Sequence, residues 1–209
     1  MKKYELTEET VTVFGKTLYR IRAVRDFGSV KTGEFGGYIE KEENLSHFGN
    51  AWISGDAWVY GDARVSGDAW VYGDARVSGN AWIYGDARVY GDARVFGDAR
   101  VSGNARVYGN AKVYGDARVS GNARVFGNAE VFNTRHFFVQ GPIGSRDGYV
   151  TFYRTKDDTV EVRCGCFSGS LQEFVNQVEE THGGSRYEKE YKLAVELAKV
   201  CIRLEGESR

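Results

Sequence analysis

The chain has 209 residues, 42% of them hydrophobic, and a formal net charge of −1. This composition is typical of a chain that can bury a core, and the charge balance argues against a basic nucleic-acid groove unless one face segregates the charge. The opening from Met1 to Glu9 lacks the apolar stretch of a signal peptide, and no run reaches the length of a membrane span. We therefore predict a cytoplasmic protein, and if a phage encodes it, the compartment is the host cytoplasm.

Residues 1–42 predict a small N-terminal β cap. Side chains alternate from Thr10 to Phe14 and from Leu18 to Val24, which favours two strands. Gly15-Lys16 between them is a candidate hairpin turn. Residues 43–48 resemble a degenerate hexad that leads into the next region.

A six-residue phrase, Gly-(Asp/Asn)-Ala-x-(Val/Ile)-x, occurs fourteen times without interruption from Gly49 to Phe132. A period this short predicts a parallel β-helix over residues 43–132, with three hexads in each triangular coil. Successive side chains of a strand point to opposite faces, so Ala63 and Val65 are predicted to point inward and Arg64 and Ser66 outward. Glycine and Asp or Asn suit the corner between two walls.

The hexads resemble those of left-handed β-helix proteins. That superfamily includes acyltransferases, γ-class carbonic anhydrases and non-enzymatic members, and the resemblance implies the left-handed sense. The opening segment, with Val30-Lys31-x-Gly33, Gly36-Gly37-Tyr38-Ile39 and Asn44-Leu45-Ser46, is similar to that of uncharacterised hexapeptide proteins of enterobacteria and of phage or prophage genomes. The resemblance implies a homo-oligomer, a dimer or trimer, and a protein partner in the host, such as a defence factor.

Beyond Asn133 the period stops, and residues 133–209 predict a small α/β unit. Residues 149–154 and 159–166 read as strands joined by a turn at Lys156-Asp157-Asp158. The fold class that we predict is thus mainly β: a left-handed parallel β-helix with an N-terminal β cap and a small C-terminal α/β unit.

Two helices are predicted to follow these strands. Ser170 and Glu173 form a capping box, and His182-Gly183-Gly184 marks the helix end. The second helix, about Tyr187 to Leu204, has apolar residues on two sides, so it is either packed between other elements or used to dimerise.

Three histidines limit the enzymatic alternatives. His47 and His136 are weak candidates for the general base of an acetyl-CoA-dependent acyltransferase, and His182 fits a helix cap better. None lies in the regular hexads, which also carry no loop insertion for a substrate pocket. We predict no cofactor and no catalytic residue.

The cysteines favour packing over metal binding. Cys164 and Cys166 are separated by one residue, closer than in common zinc motifs, and Cys201 has no partner pair. We predict no metal site, and we predict that Cys164 and Cys166 are small core residues on the face of Val160 and Val162.

One outer wall of the β-helix is the candidate interface. Residues eighteen apart stack on the same wall, which we name the first wall; its outward residues include Trp52, Trp70, Tyr72, Arg88, Tyr90, Arg106, Tyr108, Arg124 and Phe126. These residue types are enriched in protein interfaces. The alternative is self-support, in which the rings stack and the arginines pack over them or pair with corner aspartates.

The sequence therefore predicts a non-enzymatic interaction or scaffold protein that binds a protein partner, itself, or both. The acyltransferase is the first alternative. A module that binds a small ligand between the β-helix and the C-terminal unit is the second.

Overall fold

An antiparallel hairpin forms the start of the fold in a computed structural model, which describes residues 1–204. Strands β1 (Tyr4–Val13) and β2 (Lys16–Ala23) pair through a turn at Phe14 and Gly15, where φ is 49° and 76°. The hairpin prediction is confirmed, although β1 begins at Tyr4 instead of Thr10 and the turn lies one residue before the predicted Gly15-Lys16, because Lys16 already pairs with Val13. Strand β3 (Phe35–Ile39) pairs with β2, and a short 3₁₀ helix (Glu42–Asn44) follows it.

Each of the fourteen hexads contributes one two-residue strand, β4 to β17. The strands are Trp52–Ile53, Trp58–Val59, Arg64–Val65, Trp70–Val71, Arg76–Val77, Trp82–Ile83, Arg88–Val89, Arg94–Val95, Arg100–Val101, Arg106–Val107, Lys112–Val113, Arg118–Val119, Arg124–Val125 and Glu130–Val131.

Strands eighteen residues apart pair in parallel, as Arg88 does with Trp70 and with Arg106. The first wall is the sheet β4-β7-β10-β13-β16, and the third wall is β6-β9-β12-β15. The second wall, β5-β8-β11-β14-β17, is extended by the hairpin because β3 pairs with β5 in parallel. The predicted parallel β-helix architecture is confirmed.

The inside of this solenoid is a column of alanine and valine or isoleucine. Every hexad alanine and every hexad Val or Ile is at most 1% exposed. The inward assignment of Ala63 and Val65 is therefore correct, and the β-branched residues suit the pleated walls.

The solenoid has a carbonyl end and an N–H end. Each coil donates its N–H groups to carbonyls of the next coil, as Arg88 N does to Ala105 O at 2.9 Å. The first coil therefore presents carbonyls without a preceding coil, and the last coil presents N–H groups without a following one. Such groups need partners when they are covered.

The N-terminal cap supplies donors to the carbonyl end. Lys3 Nζ donates to Ala51 O at 2.7 Å, and Asn44 Nδ2 donates to Ala63 O at 2.8 Å. Both side chains are fully buried. Burial, with the nearby charge of Arg25, lowers the pKa of the Lys3 amine to about 8.

The C-terminal unit supplies acceptors to the N–H end. Thr151 Oγ1 accepts from Arg124 N at 3.2 Å, and His136 Nδ1 accepts from Phe132 N at 3.4 Å. Both end regions thus carry the hydrogen-bonding groups that the polarity of the solenoid requires.

The C-terminal unit is a four-stranded antiparallel sheet followed by two helices. Its strands, in sheet order, are β18 (Phe137–Ile143), β19 (Gly148–Arg154), β20 (Val160–Cys164) and β21 (Phe167–Ser170). The sequence analysis found β19 and β20 but not the two edge strands. Residues 205–209, which the predicted unit includes, lie outside the described residues.

The first helix, α1 (Leu171–His182), begins and ends as predicted. Ser170 Oγ accepts from Glu173 N at 3.3 Å, and the Glu173 carboxylate accepts from Ser170 N at 2.8 Å, so the capping box is formed. Phe174 and Val178 on this helix are buried in the core of the C-terminal unit.

The second helix, α2 (Arg186–Cys201), has one packed side and one exposed side. Tyr191, Ala194, Val195 and Ala198 are buried against the sheet and α1. Leu193 and Val200 on the other side are 71% and 80% exposed. Within residues 1–204, neither helix combines the length and the apolar character that crossing a membrane requires.

Candidate functional site

The outward rings of the first wall stack into a ladder. Tyr72, Tyr90, Tyr108 and Phe126 follow one another with ring centroids 4.8, 4.8 and 5.2 Å apart, and neighbouring planes are tilted by at most 19°. The strand spacing of the solenoid imposes this distance. Burial between neighbouring rings raises the pKa of the Tyr90 phenol. This set, the tyrosine ladder, confirms the self-support expected of stacked rings and also fixes their orientation.

A row of exposed arginines, Arg88, Arg106 and Arg124, occupies the same position in three successive coils of this wall. None of them forms an ion pair with another residue of the described chain, although Lys41 does so with corner Asp62. The expected pairing of wall arginines with corner aspartates is therefore wrong for this row.

Cation–π contacts also distinguish the walls. On the second wall Arg76 lies 4.5 Å from the Trp58 ring, and on the third wall Arg100 lies 5.5 Å from Trp82. Within the part of the chain that the structure describes, the arginine row of the first wall makes no such contact. Its guanidinium groups are left to solvent or to a binding partner.

Trp52 does not belong to the accessible part of this wall. Its side chain is 1% exposed, because the N-terminal cap covers the first coil: the Phe27 and Tyr4 rings lie 5.3 and 6.5 Å from it. The prediction that Trp52 is an exposed interface residue is wrong, and its role is to join the cap to the prism. Trp70, one coil later, is half-buried.

A groove of about 1020 Å³ lies between the first wall and the C-terminal unit. The solenoid contributes Asn104, Arg106, Asn122 and Arg124 to its lining. The C-terminal unit contributes polar and aromatic side chains, including Arg146, Tyr149, Cys164, Cys166, Phe167, Gln177, His182 and Tyr191. The two arginines link the groove to the wall, since they belong to both.

The end of the tyrosine ladder is fixed to the C-terminal unit beside this groove. Phe126 contacts the ring of Tyr153 at 5.7 Å, and the Arg163 guanidinium lies 5.0 Å from the Phe126 centroid. Arg163 also donates to the carbonyls of Cys166 and Phe167, each at 3.4 Å. Arg163 is therefore occupied by structural contacts.

The two neighbouring cysteines have different environments. Cys164 is half-buried, its Sγ donates to the Tyr191 hydroxyl at 3.8 Å, and burial raises the pKa of its thiol. Cys166 lies beyond the end of β20 and is exposed. The core assignment of Cys166 is wrong because the strand ends at Cys164 and the chain turns there.

His47 is held inside the N-terminal cap. Its ring stacks on Tyr4 with centroids 4.3 Å apart, its Nδ1 accepts from Lys3 N at 3.3 Å, and its Nε2 is 3.6 Å from a Glu42 carboxylate oxygen. These contacts are with the cap alone, and His47 does not line the groove.

His136 is buried at the opposite end of the solenoid. Its ring contacts Phe132 edge to face at 3.9 Å, and Asn133 Nδ2 is 2.9 Å from its Nε2. Burial, reinforced by the charge of Arg154, lowers the pKa of His136 to about 4. The imidazole is neutral near pH 7, which its role as acceptor for Phe132 N requires.

Across residues 1–204, no three His, Cys, Asp or Glu side chains come close enough to hold a metal ion together. The sequence analysis missed the groove, whose C-terminal side comes from residues 143–191. A signal was present in the hexads, because the corners around Arg106 and Arg124 carry Asn where most corners carry Asp.

Comparison with family models identifies the repeat. Residues 57–131 match the YdcK β-solenoid repeat in seven overlapping segments. The match lies inside the hexads, so together with the fold it shows a β-solenoid repeat protein. A comparison with curated proteins finds no match.

Proposed function

We propose that this chain is a non-enzymatic interaction protein that binds a partner protein on the first wall from Trp70 to Phe126, where the arginines are exposed and the rings are half-buried. The observation that carries the proposal is the arginine row without ionic partners in the described chain, beside a ladder of pre-ordered rings. Tyrosine and arginine dominate binding energy in protein interfaces. Rings already fixed by stacking lose little entropy when a partner covers them.

The partner class follows from the resemblance of the opening segment to phage and prophage proteins. That resemblance supports a protein of the bacterial host, such as a defence factor, as the bound partner. The absence of insertions between the hexads supports binding by a flat wall instead of a catalytic pocket.

The test replaces ladder rings with a residue that the solenoid already uses at the same position. Serine occurs there in Ser66, Ser78 and Ser102, so Tyr90→Ser combined with Tyr108→Ser should keep the fold. We expect affinity capture from host lysate with the wild type to recover one stoichiometric partner, and the double variant to lose it.

The matched control is Tyr84→Ser on the third wall, which removes a ring from the same hexad position and is made where the ring is 39% exposed. This variant should retain the partner. Equal capture by the ladder variant and the wild type would refute binding through the first wall.

Self-association is a separate part of the proposal. The exposed apolar residues Leu193, Leu197 and Val200 on α2 support contact with a second copy of the chain. Light scattering should then give a dimer or trimer mass for the wild type and a monomer mass for Leu197→Lys. A monomeric wild type would refute self-association and leave the binding of another protein unaffected.

A further inference from the structure

We infer that the groove between the first wall and the C-terminal unit holds an acidic segment of the partner protein, whose carboxylates bind Arg106, Arg124 and Arg146. The inference rests on the proposed function, since it names the chemistry of the partner at one end of the same wall. It depends on the charge of the groove, on the freedom of its arginines and on its continuity with the wall.

The groove is positively charged. Three arginines line it, and none of its lining residues is an aspartate or a glutamate. A carboxylate does approach from outside the lining, where Glu180 accepts from Gln177 Nε2 at 3.4 Å. Asp147, next to Arg146 in sequence, lines a different and smaller cavity beside α2.

The corners of the solenoid explain why the positive charge is confined to this region. Arg88 lies between corner residues Asp86 and Asp92. The corners that flank Arg106 are Asn104 and Asn110, and those that flank Arg124 are Asn122 and Asn128. Asparagine keeps the corner conformation without the negative charge, so the corners of these two coils add no negative charge beside the two arginines, and the nearest corner aspartates of this wall, Asp86 and Asp92, lie one coil away from Arg106. The repeat is neutral as a whole, yet this part of the first wall is cationic.

The arginines of the groove are available for a ligand. Arg106, Arg124 and Arg146 are exposed, and none forms an ion pair among residues 1–204. A guanidinium binds a carboxylate through two parallel hydrogen bonds, which favours this chemistry over a neutral ligand. The exposed Tyr149 ring and the half-buried Phe167 ring offer apolar surface for the aliphatic part of acidic side chains.

Continuity with the wall favours a protein segment over a small anion. Arg106 and Arg124 belong to the arginine row and also line the groove, so a chain lying on the wall can continue into it. A volume of about 1020 Å³ is large for a single small anion. The occupant to which these features point is therefore an extended Asp- and Glu-rich segment.

The experiment is calorimetric titration of the full chain with a short peptide of alternating glutamate and serine. The same peptide with glutamine in place of glutamate is the ligand control, and inorganic phosphate is the small-anion probe. We expect the acidic peptide to bind, the glutamine peptide not to bind, and added sodium chloride to weaken the binding. Loss of one charge-assisted contact should weaken binding about tenfold in each of Arg106→Gln, Arg124→Gln and Arg146→Gln.

Arg118→Gln is the matched protein control, because Arg118 has the same hexad position on the third wall and follows Asp116. It should leave the peptide affinity unchanged. Arg146 lies outside the hexads, so Arg146→Gln still tests the groove if a variant within the solenoid folds poorly.

Equal weakening by Arg118→Gln, no binding of the acidic peptide, or equally tight binding of phosphate would overturn the inference. A partner captured from lysate by the wild type and by all three groove variants would overturn the inference while the proposed function stands. If only the variant Tyr90→Ser combined with Tyr108→Ser loses the partner, the inference is likewise overturned and the proposed function stands. A wild type that captures no partner but binds the acidic peptide through the three arginines would refute the proposed function and retain the groove as an acidic-peptide site.

Discussion

Corner glycines allow the stacking of the coils to be tested with backbone strain held constant. Gly79, Gly109 and Gly121 all have φ of +66°. A Cβ atom at Gly79 would lie 2.8 Å from the backbone nitrogen of Gly97, and one at Gly109 would lie 3.2 Å from that of Gly127. A Cβ atom at Gly121 would meet no atom within 4 Å. The three positions therefore differ mainly in how closely the next corner approaches.

The expected losses follow from two terms. An alanine in the left-handed conformation costs about 1–2 kcal/mol, and this term applies to all three variants. Overpacking against an immobile backbone adds about 1–3 kcal/mol, and this term applies fully only to Gly79→Ala. We expect the free energy of unfolding to fall by about 2–5 kcal/mol for Gly79→Ala and by about 1–2 kcal/mol for Gly121→Ala. Gly109→Ala should lie between them.

Urea unfolding followed by circular dichroism measures these differences, and equal slopes against urea show that the same cooperative transition is compared. Equal losses for the three variants would show that close approach of successive corners does not limit the residue at these positions. A larger loss for Gly121→Ala than for Gly79→Ala would refute the reasoning altogether.

Three further predictions concern the core and the two ends of the solenoid. Val95→Asp should prevent folding, because it places a charge at a fully buried position of the column. The control Arg94→Asp on the exposed side should change the free energy of unfolding by about 0.5 kcal/mol or less, and circular dichroism distinguishes the unfolded variant from the folded one. Because the pKa of Lys3 falls from 10.5 to about 8 on folding, the unfolded chain binds more protons between these pH values, and the free energy of unfolding should rise with pH across that window. Denaturant titrations should show that Lys3→Met removes this part of the rise, and an identical rise in the variant would contradict the prediction. The pKa of His136 falls from 6.5 to about 4 on folding, so its contribution to stability should be present above pH 6.5 and lost as the pH falls to about 4. The variant His136→Asn should lose less free energy of unfolding over that window, and an unchanged loss would refute the role of the buried imidazole.

The hexads determined, residue by residue, which side chains of the solenoid point inward and which point outward. Ala63 and Val65 could be assigned to the inside because each hexad position has one environment, repeated in every coil. The same arithmetic predicted which rings share a wall, and the ladder through Tyr90 and Tyr108 follows from it. The capping box at Ser170 and Glu173 was equally local, since both partners lie within one helical turn.

Local patterns did not reveal the two edge strands of the C-terminal sheet. Phe137–Ile143 lacks a clear alternation and contains Gly141 and Pro142. Its neighbours in the sheet decide that it is a strand, because pairing with β19 supplies its backbone hydrogen bonds. Cys166 was misplaced for a related reason, since only the observed turn shows where β20 ends.

The sequence by itself determined a solenoid and the content of its walls, because contacts eighteen residues apart are fixed by the period. Only the tertiary structure decided which parts of the first wall are accessible. The N-terminal cap buries Trp52, while the C-terminal unit stands beside the exposed Arg106 and Arg124 and forms a groove with them. Neither outcome follows from the period, because packing of the caps depends on contacts between segments far apart in the chain.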